Sequence, residues 1–417
     1  MKPFEEFDFD TVLNRKGTNS FKWDNVEVLN ENLLPLSIAD MDFAVPPEVT
    51  QALVKRTANP VYGYEFQPDA LKEAIIAWLY KRHRFKVSKD WLLLTPGVGS
   101  GLAICILALT QKGDRIVIQP PVYPPFFSVV EKNERQLLLN PLHYDSKSLR
   151  YTMDFDSLEK LFSEQKPRLM FLCNPHNPIG RVWEKEELQI LGELCLQYQV
   201  ILISDDIHAD LVFPGHHYRP LIKVSETLKN NTIQLMSPGK SFNIPGLRFS
   251  YAVIANRKLK NRLSEKISAL ELNKTNIMGA VASQAVYRNG AKWLDSVLEY
   301  VWNNYVFLKT TLSNELPWAK VIPLEATFLA WIDLRASGLD HNQLSHVVRS
   351  KAKLVLFEGH AFGDAGRGFM RINLACPRDT LHEAVKRLVD ALNQTRENPP
   401  IMGIMANPEL SSGCCGE

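Results

Sequence analysis

The chain has 417 residues, more than one domain usually holds, so one large and one smaller domain are expected. Hydrophobic residues make up 45% and charged residues 23%, an ordinary globular balance with ample material for a core. The formal net charge of +2 gives no electrostatic basis for binding nucleic acid or a membrane surface. No apolar run approaches the roughly 18 residues that span a bilayer.

The opening, MKPFEEFDFD, lacks the basic flank and apolar stretch of a signal peptide, so a cytoplasmic protein is expected. Residues 1–47 show little helical periodicity and read as an N-terminal arm partly joining the smaller domain. A helix is predicted over Asp69–Arg84, with Leu71, Ile75 and Leu79 on one face and Asp69 as N-cap. Short apolar runs then alternate with helical segments: Arg115–Gln119, Arg168–Cys173, Val200–Ser204, Thr232–Met236 and Ser250–Ile254. Uninterrupted apolar runs of this kind suggest strands buried on both faces of a mainly parallel sheet, here in a large domain over residues 48–288. From about 289 to 394, long amphipathic helices surround two strand-like runs, Phe328–Leu334 and Phe369–Ala375, the pattern of a smaller α+β domain. Residues 395–417 read as a mobile tail. Cys105, Cys173, Cys195 and Cys376 sit in apolar surroundings without metal-ligand spacing, and Cys414 and Cys415 are neighbours in the tail. Reduced thiols are the plain reading.

In an open α/β sheet, ligands bind outside the carboxyl ends of the strands. Tyr123 lies just past the first run, Asn177 follows the second and Asp205 closes the third. Ser237 closes the fourth, with Lys240 three residues on. This set suits pyridoxal 5'-phosphate (PLP), which carries an aldehyde, a phosphate and an electron-accepting pyridine ring. A lysine such as Lys240 holds the aldehyde as an imine. A carboxylate such as Asp205 can keep the ring nitrogen protonated, an amide such as Asn177 can hydrogen-bond the phenolic oxygen and Tyr123 can stack on the ring. The phosphate needs donors, for which Ser237, Arg248 and the turn Thr95–Gly101 with its free N–H groups at Val98, Gly99 and Ser100 are suited. Taken singly, each has a bland reading: a solvated lysine, a capping aspartate, a loop-packing tyrosine, a tight glycine turn. His208, His216 and His217 lack ligand spacing, so no metal is expected.

Three segments carry a family resemblance. Ser237-Pro-Gly-Lys240-Ser-Phe-Asn-Ile-Pro-Gly-Leu-Arg248 resembles the PLP-lysine motif of fold-type I aminotransferases. Asn174-Pro-His-Asn177-Pro-Ile-Gly180 looks like their NPxNPTG loop, and Phe369-Met-Arg371-Ile-Asn373 like the segment whose arginine grips the substrate carboxylate. Within that family, Ile38-Ala-Asp-Met-Asp-Phe43, Tyr62-Gly-Tyr64, Pro121-Val-Tyr123-Pro-Pro-Phe126, Ser204-Asp-Asp-Ile-His208 and Glu358-Gly-His-Ala-Phe-Gly363 resemble the cystathionine β-lyase (C–S lyase) branch of the MalY and PatB type.

The resemblance implies an aspartate-aminotransferase-like α/β fold with a mainly parallel seven-stranded sheet. It also implies a homodimer in which Tyr64, or as the second choice Tyr62, reaches the neighbouring subunit's PLP phosphate, and His208 on the phenolic oxygen. Arg371 and Asn177 would contact the substrate, with the backbone of Ile38 and Ala39 capping it. Two positions depart from the branch: Ser37 stands where a tryptophan is common, and Asp206 replaces a glutamate. The implied reaction is β-elimination of L-cystathionine or another cysteine S-conjugate to a thiol, pyruvate and ammonia, with Lys240 moving the Cα proton. An aminotransferase using the same residues stays open, as does, more remotely, a non-catalytic PLP-fold regulator.

Overall fold

A computed structural model describes residues 7–66 and 69–397. Seven strands build the principal sheet: β1 (Leu92–Thr95), β2 (Arg115–Ile118), β3 (Gln136–Leu139), β4 (Leu169–Cys173), β5 (Ile201–Asp205), β6 (Thr232–Met236) and β7 (Ser250–Val253). Their order in space is β1-β7-β6-β5-β4-β2-β3. The run from β6 to β3 is parallel, and β7 lies antiparallel to both its neighbours. Every residue of β4, β6 and β7 is buried, as a sheet covered by helices on both faces requires. The five predicted strands stand within one residue of their expected bounds. Two strands escaped the reading, β1 (LLLT) and β3 (QLLL). Leucine runs lack the β-branched and aromatic enrichment that separates a strand from a buried helix.

The second sheet has four strands: β8 (Lys320–Val321), β9 (Leu329–Asp333), β10 (Phe357–Glu358) and β11 (Phe369–Asn373), in the order β8-β9-β11-β10. All its pairings are antiparallel. One buried cluster joins the two sheets, running from Tyr251 and Val253 through helix residues Leu294 and Leu308 to Ile332 and Ile372.

Helix α1 (Asp69–His83) is as expected, except that Asp69 is its first residue rather than its cap and pairs with Lys89 at 2.7 Å. Helix α2 (Val98–Leu109) follows β1 directly. The arm is not featureless. It holds a short helix, Val26–Glu31, and its Leu34–Pro35 pairs in parallel with Leu354–Val355. The last helix, Arg378–Glu397, continues past the expected limit of 394. Residues 398–417, with Cys414 and Cys415, lie outside the described residues. Cys105, Cys173, Cys195 and Cys376 are buried and free. Among the described residues, no helix is long and apolar enough to cross a membrane.

Candidate active site

The parallel strands end where the sequence places its polar groups. Asp205 is the last residue of β5 and Ser237 follows the last residue of β6. Asp205 accepts the Ile207 N–H at 3.1 Å, and among the described residues no cationic side chain stands within 4.0 Å of it. Burial, with Asp206 adding to it, raises its carboxyl to about 7. Lys240 is half-buried, desolvation lowers its amine to about 8, and its Nζ donates to the Ala39 carbonyl at 2.6 Å. Tyr123 packs edge-on to Phe126. Burial, then the charge of Asp205, pushes its phenol to about 12.

Across from this edge stands Arg371 on β11. Its guanidinium donates to Asn177 Oδ1 at 2.9 Å and to the Ser37 carbonyl at 2.6 Å, while Nε has no acceptor. Two rings flank it, Phe357 at 4.7 Å and Phe362 at 5.1 Å from Cζ. Burial draws its pKa down to about 9, so it stays charged at neutral pH. Among the described residues no carboxylate lies within 4.0 Å of it. With Oδ1 of Asn177 committed to Arg371, its amide nitrogen remains the donor. His208 is buried, its Nδ1 has no partner, and burial lowers its pKa to about 3, leaving a neutral ring. Buried charges without counter-ions are costly in an interior, so this arrangement is one that a charged ligand completes.

A second group of predicted residues meets at the start of α2. Gly97, at φ 146°, turns the chain out of β1 in a conformation that a side chain strains. Val98, Gly99 and Ser100 then form the first turn, whose N–H groups have no carbonyl within the helix. Ser100 and Arg248 line one cavity of about 470 Å³ together with Lys274 and Thr275, which the sequence reading did not single out. Ser237 donates to the Phe249 carbonyl at 2.6 Å and accepts the Gly239 N–H at 3.0 Å.

The strap Ser37–Phe43 closes the site, and its fastenings escaped the sequence reading. Asn373 donates to the carbonyls of Ile38 and Asp40, each at 2.7 Å. Asn243 accepts the Met41 N–H at 2.9 Å and donates to the carbonyls of Met41 and Phe43. Behind the strap, Arg15 and the buried Lys22 pair with Asp40 and Asp42. No periodic signal marks any of these. Ser37 is buried, and its backbone serves Arg371. Asp206 accepts from Ser204, Tyr218 and Gln234 in a buried network, a structural role for that departure.

Tyr64 stands apart from this chain's cluster at 95% exposure. His216 and His217 line a different cavity of about 730 Å³, rimmed by Lys81, Arg84 and Lys223. Chemistry rather than cavity size therefore locates the site at Lys240.

Residues 31–388 match the family described as Aminotransferase class I and II. Cystathionine beta-lyase PatB of Bacillus subtilis is 38% identical over 92% of this chain and 100% of its own length. Protein MalY of Escherichia coli is 31% identical over 94% and 100%. The crystal structure of cystalysin from Treponema denticola, which contains pyridoxal 5'-phosphate, superposes with a TM-score of 0.89 at 35% identity, covering 93% of this chain and 99% of that one. The chain belongs to the aminotransferase class I and II family, in the branch that holds PatB and MalY.

Proposed function

We propose that this protein is a PLP-dependent carbon–sulfur β-lyase. It splits L-cystathionine or a related cysteine S-conjugate, with one water, into a thiol, pyruvate and ammonium. The observation that carries the reading is the group of the half-buried Lys240 with the buried Asp205 and Arg371, each charged or chargeable and none neutralised by an ion pair among the described residues. These residues fit PLP. Lys240 would meet its aldehyde, Asp205 its ring nitrogen, and Asn177 with His208 its phenolic oxygen. Tyr123 would lie against the ring. The N–H groups of Val98, Gly99 and Ser100, with Arg248, would take the phosphate, and Ser237 would join them by turning its hydroxyl from the Phe249 carbonyl.

When bound, PLP supplies the electron sink that stabilises negative charge at the substrate Cα. The guanidinium of Arg371 holds the substrate carboxylate, its idle Nε giving it a free donor. Lys240 Nζ, with an amine pKa of about 8, has a useful free fraction at neutral pH and takes the Cα proton. The backbone of Ile38 and Ala39 walls the site and excludes water. Sulfur then departs readily, because a thiol's pKa is only about 8.5.

A homodimer and a cytoplasmic location are part of this reading. Val61, Tyr62, Tyr64 and Phe66 are exposed by 67%, 55%, 95% and 99%. An apolar run so exposed suits a subunit interface, from which Tyr64 extends to the neighbouring phosphate. The division into an arm (1–47), a large domain (48–288) and a small domain (289–394) is supported by Lys240 following β6 of the principal sheet while Arg371 stands on β11 of the second.

Product analysis with L-cystathionine and no keto acid tests the function. Pyruvate, ammonia and homocysteine accumulating far beyond one equivalent per subunit are expected. Turnover that stops after one equivalent and resumes on adding a keto acid identifies an aminotransferase instead.

A further inference from the structure

We propose that His341, Glu358 and His360 form a binding site for a borderline divalent transition-metal ion of the Zn2+ class. His341 Nε2 lies 3.4 Å from Glu358 Oε2, and His360 Nδ1 lies 3.3 Å from the same oxygen. The two imidazole centroids are 3.9 Å apart with the rings tilted by 54°, and one ligand atom from each residue lies within 4.8 Å of the others.

Hydrogen bonding does not explain this convergence. An N–H···O bond has its optimum near ~2.9 Å, and among the described residues none of the three side chains makes a hydrogen bond. Coordination does explain it. Zn2+ binds imidazole nitrogen and carboxylate oxygen at about 2.0–2.1 Å, and the edge of such a tetrahedron is about 3.3–3.4 Å. Both His-to-Glu separations equal that edge and the two imidazole nitrogens lie within 4.8 Å of each other, so a small closing movement of one ring completes a face of the tetrahedron, with the fourth corner left to water. Two imidazoles and one carboxylate select Zn2+, Ni2+ or Cu2+ over Mg2+ or Ca2+, which prefer all-oxygen sites.

The ligands come from well-anchored elements. His341 is the first residue of the helix His341–His346, which Asp340 and Gln343 cap reciprocally. Glu358 lies on β10, in register with Met370 of β11. His360 belongs to the 3-10 turn Gly359–Phe362. The segment from Phe357 to Phe362 also carries both rings that flank Arg371. A metal ion here ties that segment to the helix and steadies the wall of the carboxylate site without touching substrate.

The test uses the full-length, PLP-loaded protein, stripped with a chelator and titrated with Co2+ in the absence of substrate. One Co2+ per chain, with the strong visible bands of tetrahedral Co2+, and its displacement by Zn2+ are expected. His341→Ala and His360→Ala should each weaken uptake by about tenfold or more, since loss of an outer-shell partner alone costs that much. Both variants should keep bound PLP, which verifies their fold. A Cys414→Ala/Cys415→Ala double variant should bind as before. The proposal is overturned if the wild type takes up no stoichiometric ion, if both histidine variants bind unchanged, or if binding vanishes with the two cysteines. None of these readings depends on which reaction the enzyme performs.

Discussion

The two sides of the active site are held in place by different physics. On the principal sheet, Asp205 and Ser237 stand at strand ends, and Lys240 follows one short turn later. Backbone ladders place them, so their position follows from topology. On the opposite side, the strap Ser37–Phe43 has no ladder to this site. Side chains of Asn243, Arg371 and Asn373 hold it through its backbone carbonyls and the Met41 N–H. The sheet side can therefore lose a functional group and keep its shape, whereas the strap side couples shape to single side chains.

The largest effect is expected at Lys240. Lys240→Ala should reduce turnover by about 10⁴-fold or more, because it removes both the cofactor's attachment point and the proton acceptor. Visible absorption of bound PLP should be lost while the fold persists, as read by circular dichroism. An unchanged visible spectrum would sink the assignment of Lys240.

Asp205→Asn sharpens the contrast, since the two shapes are alike and only the charge goes. Turnover should fall by about 10²-fold or more, the scale of one well-placed electrostatic contact. The cofactor-free protein should respond in the opposite sense. Burial raises the Asp205 carboxyl from 3.8 to about 7. Its contribution to stability is thus present below pH 4 and lost as pH climbs through 7, because ionisation is easier in the unfolded chain. Asp205→Asn should accordingly gain on the wild type as pH rises from 4 to 8, by about 4 kcal/mol at most. Paired denaturation curves at both pH values measure this, and a gap that shrinks with pH would refute the unpaired buried carboxylate.

Asn373→Ala attacks the strap side and should have the smallest effect on chemistry. It leaves the carbonyls of Ile38 and Asp40 unpartnered and removes the acceptor of the Ala375 N–H. A loss of about 3 kcal/mol is expected in the PLP-loaded protein, as the cost of orphaned buried groups. The KM should rise by about tenfold, with the visible spectrum of bound PLP unchanged. A variant with normal stability and KM would show that the strap holds itself.

The same contrast governs what the sequence reveals. Strand-end residues are legible because a parallel sheet leaves one periodic trace, an apolar run, and the functional residue follows it. The motifs around Lys240, Asn177 and Arg371 add the family on top of that trace. Asn373 and Asn243 lay inside or beside quoted motifs, yet their partners are 335 and 202 residues away, and no local pattern encodes such a distance. The ion cluster of Arg15, Lys22, Asp40 and Asp42 is hidden for the same reason. β1 and β3 were missed because leucine suits helix and strand alike. The pair His341 and His360 sits on two elements that only the fold brings together.

The fastening of the strap also sets an order of events during synthesis. Residues 37–43 leave the ribosome before their anchor, because Asn373, which closes over them, is made 335 residues after Ile38. A nascent chain can complete the principal sheet and expose Lys240 well before the lid's last anchor exists. Closure of the strap over Lys240 therefore waits for β11, and a chain truncated ahead of that strand would leave this lysine unroofed.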